Sequence, residues 1–135
     1  MLFYNLKIYA PDKVFYDGDC EYLNVPTEIG MYAILANHRN TITAIVPGKL
    51  TFRIPGKENL EVAVSSGMMK IENSDVLLLV ESCEWPEDID VERARRAEEE
   101  ARRLLKQKRS KIEYHLAQAN LVRALNRLKI KSNKN

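Results

Sequence analysis

The hydrophobic pattern of this chain changes its period once, at Trp85-Pro86. Before this dipeptide apolar residues alternate with polar ones, which is typical of half-buried β-strands, and after it they recur every three or four residues, which is typical of amphipathic helices. Proline lacks a backbone donor and disfavours helix in the residue before it, so the dipeptide interrupts the preceding pattern. The sequence therefore predicts two domains, a β domain over residues 1–84 and a helical domain over residues 85–135.

The first domain carries turn signals roughly every 8–12 residues, the spacing of a β-sandwich or barrel. Among these signals are Asp17-Gly18-Asp19, Pro47-Gly48 and Pro55-Gly56. The segments between the turns predict about eight to ten short strands. Two apolar runs, Met31–Leu35 and Val76–Val80, are predicted to be buried, the second in the middle of a sheet.

The second domain is predicted to be two helices joined at Gln107–Ser110, a segment without apolar residues. Asp88 or Asp90 can cap the first helix, and Ser110 with Glu113 fits a capping box at the start of the second. Each helix has a narrow apolar stripe rich in alanine: Ala94, Ala97, Ala101 and Leu104 on the first, and Tyr114, Ala117, Leu121, Ala124 and Leu128 on the second. Because short helices are marginal in water, a hairpin closed by such stripes is expected to be weakly held.

Charge is segregated along the helical domain although the net charge of the chain is only +2. Residues Glu84–Glu100 hold eight acids against three arginines, and residues Lys106–Asn135 hold nine bases against one acid. An antiparallel hairpin would place these unlike charges side by side, whereas an opened hairpin would present a basic arm to an acidic partner. We therefore predict that this domain is an element with two states.

Catalytic and metal-binding patterns are absent from the sequence. The five glycines are scattered, so neither a P-loop nor a dinucleotide-binding loop is formed. His38 and His115 have no second ligand at metal spacing and no triad partner, so a surface or packing role is favoured for both. We expect a protein that is not an enzyme, that requires no cofactor and that holds no metal.

Other features bear on the cellular compartment. Cys20 and Cys83 are too few for a disulfide framework, so reduced thiols in a cytosolic setting are expected. No apolar run approaches the ~20 residues that a membrane span needs, and the first residues lack the basic and apolar regions of a secretory signal. Any association with a membrane is therefore expected to go through a partner.

Two pairs of residues have the spacing of a binding site. Asp90 and Arg93 lie three apart on the first helix, and Arg123 and Arg127 lie four apart on the second. A capping aspartate with a surface ion pair and a solvated basic face are the simpler interpretations, and spacing alone favours them. If the hairpin closes, the pairs could converge, and a carboxylate with guanidinium groups would suit a nucleotide.

The chain as a whole resembles the epsilon subunits of bacterial F-type ATP synthases. The resemblance rests on the order and spacing of six segments: Val25-Pro26 to Gly30, Ile34-Leu35 with His38, Thr41–Val46 with Pro47-Gly48-Lys49-Leu50, Val64-Ser65-Ser66-Gly67, Ile89–Ala94, and Arg123–Leu128. It implies an α+β fold in which an N-terminal ten-stranded β-sandwich precedes a C-terminal two-helix antiparallel hairpin.

The resemblance also implies a function and partners. Members of this family are non-catalytic rotor subunits of the central stalk, which bind the gamma subunit and rest on the c-subunit ring. Their hairpin restrains ATP hydrolysis by extending into the alpha and beta subunits, where bases of the second helix meet acids of beta. The expected location is peripheral, on the cytoplasmic face of the bacterial plasma membrane.

Site residues follow by matching this sequence to the motifs of the family. An Ile/Leu-Asp-x-x-Arg-Ala motif, which binds ATP in several relatives, implies that ATP is a regulatory ligand here. The residues that match the motif are Ile89, Asp90, Arg93 and Ala94, and the resemblance adds Glu84 upstream and Arg123 and Arg127 on the second helix. Glu100 stands where ATP-binding relatives have an arginine, for which Arg96 and Arg103 are candidate substitutes. Contacts with the ring and with gamma are implied for Glu28, Met31 and His38.

A nucleic-acid-binding module that uses Lys106–Lys134 is the alternative function. The basic composition of this segment is compatible with binding to phosphates. Aromatic residues for base stacking are nearly lacking, since Tyr114 is alone in the segment. The alternative is therefore less favoured by the residues than a protein partner.

Overall fold

Strands and helices are segregated along the chain. The computed structural model describes the backbone of residues 2–107 and 111–134, and the side chains of residues 2–106 and 115–132. It divides into two units, Met1–Glu84 and Trp85–Asn135. The described strands lie in the first unit and the described helices in the second, so the predicted α+β class is confirmed.

Ten strands make up the described part of the first unit. They are β1 (Tyr4–Ala10), β2 (Lys13–Cys20), β3 (Tyr22–Thr27), β4 (Gly30–Ile34), β5 (Thr41–Ile45), β6 (Gly48–Arg53), β7 (Asn59–Val64), β8 (Gly67–Glu72), β9 (Asp75–Val80) and β10 (Cys83–Glu84). Hydrogen bonds connect them in the order β10-β7-β6-β3-β5-β8-β9-β1-β2, with β4 paired to β3. Pairing is antiparallel throughout except between β1 and β9, which are parallel.

The sheet folds over on itself into two layers near β3. The pairing of β3 with β5 is reduced to one residue pair, Thr27 with Ile45, which is where the sheet turns. Strands that are remote in the hydrogen-bonded order then meet. The rings of Tyr16 on β2 and Phe52 on β6 lie 4.9 Å apart, and the hydroxyl of Tyr4 on β1 donates to the carbonyl oxygen of Ile34 on β4 at 2.7 Å. These contacts close the predicted sandwich.

Alternate residues of the strands fill the space between the layers. The largest fully buried side chains are Phe52, Leu6, Ile8, Leu23, Ile34, Leu50, Met69, Ile71, Leu78, Val25, Val62 and Val76. Successive side chains of a strand point to opposite faces, so the residues between them face outward. This alternation decides which side chains of the first unit are available to a partner.

The prediction that Met31–Leu35 is buried is wrong for most of the run. Met31 and Leu35 are exposed, whereas Ile34 is fully buried. The reason is that β4 pairs only with β3 and turns every second side chain outward. The run Val76–Val80 lies in the middle of the sheet as predicted, between β8 and β1, but its Leu79 is half exposed because alternate side chains of a strand point to the outer face.

The second unit begins with a 3₁₀ turn at Pro86–Asp88, followed by α1 (Val91–Gln107) and α2 (Lys111–Lys134). The two helices pack against each other, and α2 also contacts the 3₁₀ turn. The Lys131 ammonium donates to the Pro86 carbonyl oxygen at 3.5 Å, so the end of α2 lies beside the start of the unit. The helices are therefore antiparallel, as predicted.

Alanines form the buried part of the hairpin along most of its length. Ala94 and Ala101 are buried on α1, and Ala117 and Ala124 are buried on α2. The spacing within each pair is seven residues, which keeps its members on one helix face. The side chains of Ser110 and Glu113, which were predicted to form a capping box, lie outside the described residues. In the part of the chain described here, neither helix is both long and apolar enough to cross a bilayer.

Candidate functional site

A row of apolar residues crosses five adjacent strands on the outer face of the first unit. Strand pairing places its members side by side on β5, β8, β9, β1 and β2, in the order Ala44, Met68, Leu79, Tyr9 and Val14. Met68 and Leu79, at its centre, are 47% and 50% exposed. Strands lie ~4.8 Å apart, so the row is about 19 Å long. We call these five residues the apolar row; contiguous exposed apolar surface of this kind marks interaction sites.

Two features adjoin the apolar row. An open groove of about 410 Å³ is lined by Tyr9, Met68 and Leu79 together with neighbouring residues of β8 and of the segment after β1. The next positions on the same face are Lys70 and Lys7, on either side of Leu77. Lys70 forms an ion pair with Glu72 at 2.6 Å, so a partner that covers this face would meet an apolar centre with a charged border of both signs.

The sequence pattern did not lead to a prediction of this row. Its signal lies in β9, where all residues from Val76 to Val80 are apolar, although a strand with one buried face normally alternates. Tyr9 and Met68 extend the same signal to the neighbouring strands. Only the pairing register shows that these residues are adjacent in space.

The turn between β3 and β4 and the first residues of β4 carry two of the predicted contact residues. Glu28 is exposed, Met31 is 54% exposed, and Ile29 between them is 88% exposed. The third predicted contact residue, His38, is partly buried. Its Nε2 lies 3.1 Å from the Tyr32 hydroxyl, and its Nδ1 lies 2.8 Å from the Arg39 carbonyl oxygen. His38 is thus held beside β4, and the turn presents an apolar tip.

Asp90 caps α1. Its Oδ1 accepts a hydrogen bond from the Arg93 amide at 3.1 Å, and its carbonyl oxygen accepts from the Ala94 amide at 2.9 Å. Of the two caps that the sequence allowed, the structure therefore selects Asp90 and not Asp88. The three-residue spacing of Asp90 and Arg93 is the spacing of a cap, because the contact joins the carboxylate to the backbone of Arg93. The side chain of Arg93 is exposed.

The other residues implied in ATP binding differ in accessibility. Ile89 and Ala94 are buried. Arg123 and Arg127 are partly buried, and the Arg123 guanidinium donates to the Asn120 side-chain oxygen at 2.5 Å. Glu84 is the last residue of β10, where it pairs with Ala63 of β7 in the first unit.

Four charged residues lie in one region of the hairpin, at the end where α1 begins and α2 ends. We call this end, which includes the 3₁₀ turn Pro86–Asp88 and Lys131, the open end of the hairpin. Lys131 of α2 lies beside Pro86, to which its ammonium donates a hydrogen bond. At ~1.5 Å per residue, Arg127 and Arg123 lie about 6 and 12 Å further along the α2 axis. Asp90 and Arg93 lie at the start of α1, so all four of these residues belong to this end.

Three ion pairs lie within α1. The pairs are Arg95 with Glu92 at 3.0 Å, Arg102 with Glu98 at 3.0 Å, and Arg103 with Glu100. For these three acids the expected pairing with bases of the second helix is replaced by pairing at three- and four-residue spacing, which the helix itself brings together. The hydrogen bonds from Arg103 lower the pKa of Glu100, and Glu100 raises the pKa of Arg103.

Buried titratable groups of the first unit are not poised for chemistry. Both cysteines are free and buried, and burial raises the pKa of Cys83 to about 12 and the pKa of Cys20 above its usual range. A protonated buried thiol is a poor nucleophile. Within residues 2–106 and 115–132, histidine, cysteine and acidic side chains do not gather into a group that could ligate a metal ion.

Two protein families match the chain in succession. The family described as ATP synthase, Delta/Epsilon chain, beta-sandwich domain matches residues 3–86. The family described as ATP synthase, Delta/Epsilon chain, long alpha-helix domain matches residues 87–132. Together the two matches account for nearly the whole chain.

Individual relatives are similar over most of their length. The ATP synthase epsilon chain of Ruminococcus albus is 36% identical over 135 residues, which cover 99% of this chain and 100% of the relative. The epsilon chain of Caldanaerobacter subterraneus subsp. tengcongensis is 41% identical over 130 residues, which cover 96% and 94%.

A solved structure shares the fold. A chain of the Euglena gracilis mitochondrial ATP synthase, in a structure of OSCP, F1 and the c-ring, superposes with a TM-score of 0.81 at 19% identity, covering 100% of this chain and 83% of that one. A chain from the central stalk and c-ring of the Tetrahymena thermophila mitochondrial enzyme gives 0.62 at 12% identity, with coverage of 94% and 95%.

Proposed function

The chain belongs to the ATP synthase delta/epsilon chain family and is a non-catalytic stalk subunit, and we propose that it joins the gamma subunit to the c-ring and restrains ATP hydrolysis. The observation that carries the proposal is the apolar row on the outer face of the first unit. The turn between β3 and β4 and the open end of the hairpin support the further parts of it. Each part is tested separately below.

The apolar row is proposed as the surface that binds gamma. Its centre, Met68 and Leu79, exposes apolar side chains that lose contact with water when a partner covers them. Lys7 and the ion pair of Lys70 with Glu72 border this centre and favour a partner with charged residues at the rim. Tight interfaces have the same organisation, with an apolar core and a polar edge.

The β3–β4 turn is proposed as the contact with the c-ring. Ile29 and Met31 form an exposed apolar tip, and Glu28 adds a negative charge beside it. A ring contact must form on a narrow region of the subunit, which a protruding turn provides. His38, held by Tyr32 and by the backbone of Arg39, supports the strand from which the turn projects.

The second unit is proposed as a brake that acts when it opens. The basic residues of α2 then require acidic partners, for which the alpha and beta subunits are proposed. The stripe of buried alanines supports easy opening, because each alanine contributes little apolar area. A peripheral position on the cytoplasmic face of the plasma membrane follows from assembly with the c-ring.

ATP is proposed as a ligand of the closed hairpin. Arg93, Arg123 and Arg127 supply guanidinium groups at the open end, and guanidinium groups bind phosphates in a forked geometry. Asp90 lies at the same end, where its carboxylate could also accept a hydrogen bond from an adenine amine. Because Ile89 and Ala94 are buried, the base would have to reach them by a local movement of this end.

The binding of gamma is the decisive test of the proposal. We expect Leu79→Glu to weaken binding of the purified chain to the gamma subunit by ~100-fold or more, because the interface would bury an unpaired charge. Asn59→Glu, at an exposed position of β7, is the matched control and should leave the affinity within about twofold. Equal affinities for the two variants would reject the apolar row as the gamma-binding surface.

The brake and the ATP site have their own measurements. Truncation of the chain after Asp88 should raise ATP hydrolysis by the assembled complex, and unchanged hydrolysis would count against the brake. Calorimetric titration of the full chain with ATP should give saturable binding that Arg127→Ala weakens and Lys129→Ala, at an exposed neighbouring position, changes less. Lack of saturation up to millimolar ATP would reject the site.

A further inference from the structure

The buried residues of the second unit differ in size along the hairpin. In its described part, Ala94 is buried near the start of α1, and Ala101, Ala117 and Ala124 are buried further from the open end. Among the side chains described for this unit, residues 85–106 and 115–132, the larger apolar residues that are buried are Pro86, Ile89 and Ile130, which lie towards the open end. Hydrophobic stabilisation scales with the apolar area removed from water. The open end therefore contributes more to closure per residue than the alanines do.

The open end is also where α2 contacts the 3₁₀ turn. The turn is ordered by its own hydrogen bonds, from the Asp88 amide to the Trp85 carbonyl oxygen at 3.0 Å and from the Ile89 amide to the Pro86 carbonyl oxygen at 3.2 Å. The Pro86 oxygen accepts a second hydrogen bond, from the Lys131 ammonium at 3.5 Å. Lys131 thus joins α2 to the 3₁₀ turn, which precedes α1 in the chain.

The exposed face of α2 offers little that would favour closure. Leu116, Val122 and Leu125 are large apolar residues of this helix, and all three are exposed in the closed hairpin. These three side chains therefore stay in water when the hairpin is closed, whereas Leu121 and Leu128 are partly buried. Among the described side chains of α2, Ile130 is the buried aliphatic residue larger than alanine.

We propose that Ile130 and Lys131 form a latch with the 3₁₀ turn, and that this latch sets the ratio of closed to open hairpins. Ile130 is buried at the end where Pro86 and Ile89 are buried, and Lys131 adds the hydrogen bond to Pro86. The latch must be released before the helices separate. After its release the contacts between the alanines hold the helices together only weakly, because alanine buries little apolar area. The latch rests on the proposed function in one respect, because opening of the hairpin is proposed to serve the brake. Closure of the hairpin can be measured in the isolated chain.

The test measures how often the hairpin opens in the full chain. Ala117→Cys places a thiol at a buried position of the hairpin, where a thiol reagent reacts only during opening. The two natural cysteines are buried in the first unit and have raised pKa values, so their reaction reports separately on that unit. The rate at position 117 is then compared among second-site variants in this background.

We expect Ile130→Ala to accelerate the reaction at position 117 at least tenfold while the natural cysteines react as slowly as before. Ile130→Val, which keeps most of the side chain, should accelerate it about threefold. Leu125→Ala removes a large aliphatic side chain from the exposed face of the same helix, and it should change the rate less than twofold. Equal acceleration by Ile130→Ala and Leu125→Ala, or no acceleration by either, would overturn the latch.

Two further results distinguish failure of the latch from unfolding of the second unit and from failure of the brake. If Ile130→Ala unfolds the second unit, as judged by loss of helical circular dichroism, then Ile130→Val and Lys131→Met carry the test. Each must then accelerate the reaction at least twofold, and rates equal to the parent would reject the latch. If the latch variants open the hairpin but leave ATP hydrolysis by the assembled complex unchanged, the brake is rejected and the latch stands.

Discussion

Gly67 lies so close to the backbone of Val80 that a methyl group added at its Cα would stand 2.8 Å from the Cα of Val80. The same methyl group would overlap the carbonyl oxygen of Leu79. Gly67 is the first residue of β8 and pairs with Ile45 on one side and Val80 on the other. The close approach of two strand backbones therefore requires glycine at this position, next to Met68 of the apolar row.

Gly67→Ala should destabilise the first unit by about 1–3 kcal/mol, because the backbone of Leu79 and Val80 cannot move aside as a flexible side chain could. Urea unfolding followed by circular dichroism measures the change. Ser66→Ala, at the adjacent position, is the control and should cost less than about 0.5 kcal/mol. A Gly67→Ala variant as stable as the parent would show that β8 and β9 can separate without cost.

Asp90→Ala should loosen the start of α1 by about 1 kcal/mol, because the Arg93 amide loses its acceptor. Asp90→Asn retains a side-chain oxygen and should cost only a few tenths of a kcal/mol. Hydrogen exchange of the Arg93 amide is the measurement. Asp88→Ala removes the other acid that the sequence offered as a cap and should leave this amide unchanged; faster exchange in that variant would contradict the assignment.

Alkaline pH should destabilise the first unit. Burial raises the pKa of Cys83 from 9.0 to about 12, so the folded state keeps a proton that the unfolded state loses. The stabilisation from this group is fully present below pH 9.0 and is lost as the pH rises towards about 12. The slope is up to about 1.4 kcal/mol per pH unit for this thiol. Unfolding free energies measured across this range should fall, and Cys83→Ala should fall less steeply; parallel curves would contradict the prediction.

Glu100→Gln should strengthen ATP binding several-fold if the proposed site is correct. Glu100 and Arg93 lie seven residues apart and share a helix face, so the carboxylate repels phosphates held by Arg93. The change also releases Arg103 from its pair with Glu100. Glu92→Gln is the control, because it releases Arg95, which lies about 160° around the helix from Arg93. Calorimetric affinities for ATP that change equally in both variants would argue against this orientation of the ligand.

The sequence predicted the class of each half because hydrophobic period is a local property. Alternation around Leu50 and Phe52 is sufficient to predict a strand, and the recurrence of Ala94 and Ala101 is sufficient to predict a helix face. The cap at Asp90 was one of two local solutions. Choosing between Asp88 and Asp90 required the 3₁₀ turn, which occupies Asp88 and which the proline break did not reveal.

The apolar row depends on information that no local pattern contains. Met68 and Leu79 become neighbours through the register of β8 with β9, and Tyr9 joins them through the parallel pairing of β1 with β9. The error at Met31–Leu35 has a related cause, since an edge strand exposes side chains that would be covered in a central one. The outer face of two central strands decided what was exposed in the first case, and the edge position of β4 decided it in the second.

The alanines between the helices affect the rate at which the hairpin opens and closes as well as the stability of the closed hairpin. An alanine side chain has no rotamers to freeze, so helices that meet through methyl groups can part and rejoin without any side chain having to find its former conformation. Interlocking branched side chains would have to recover their rotamers each time the helices closed. If the hairpin opens as proposed, the barrier to its opening and closing should thus be low, so the arm could bind and leave its partner rapidly.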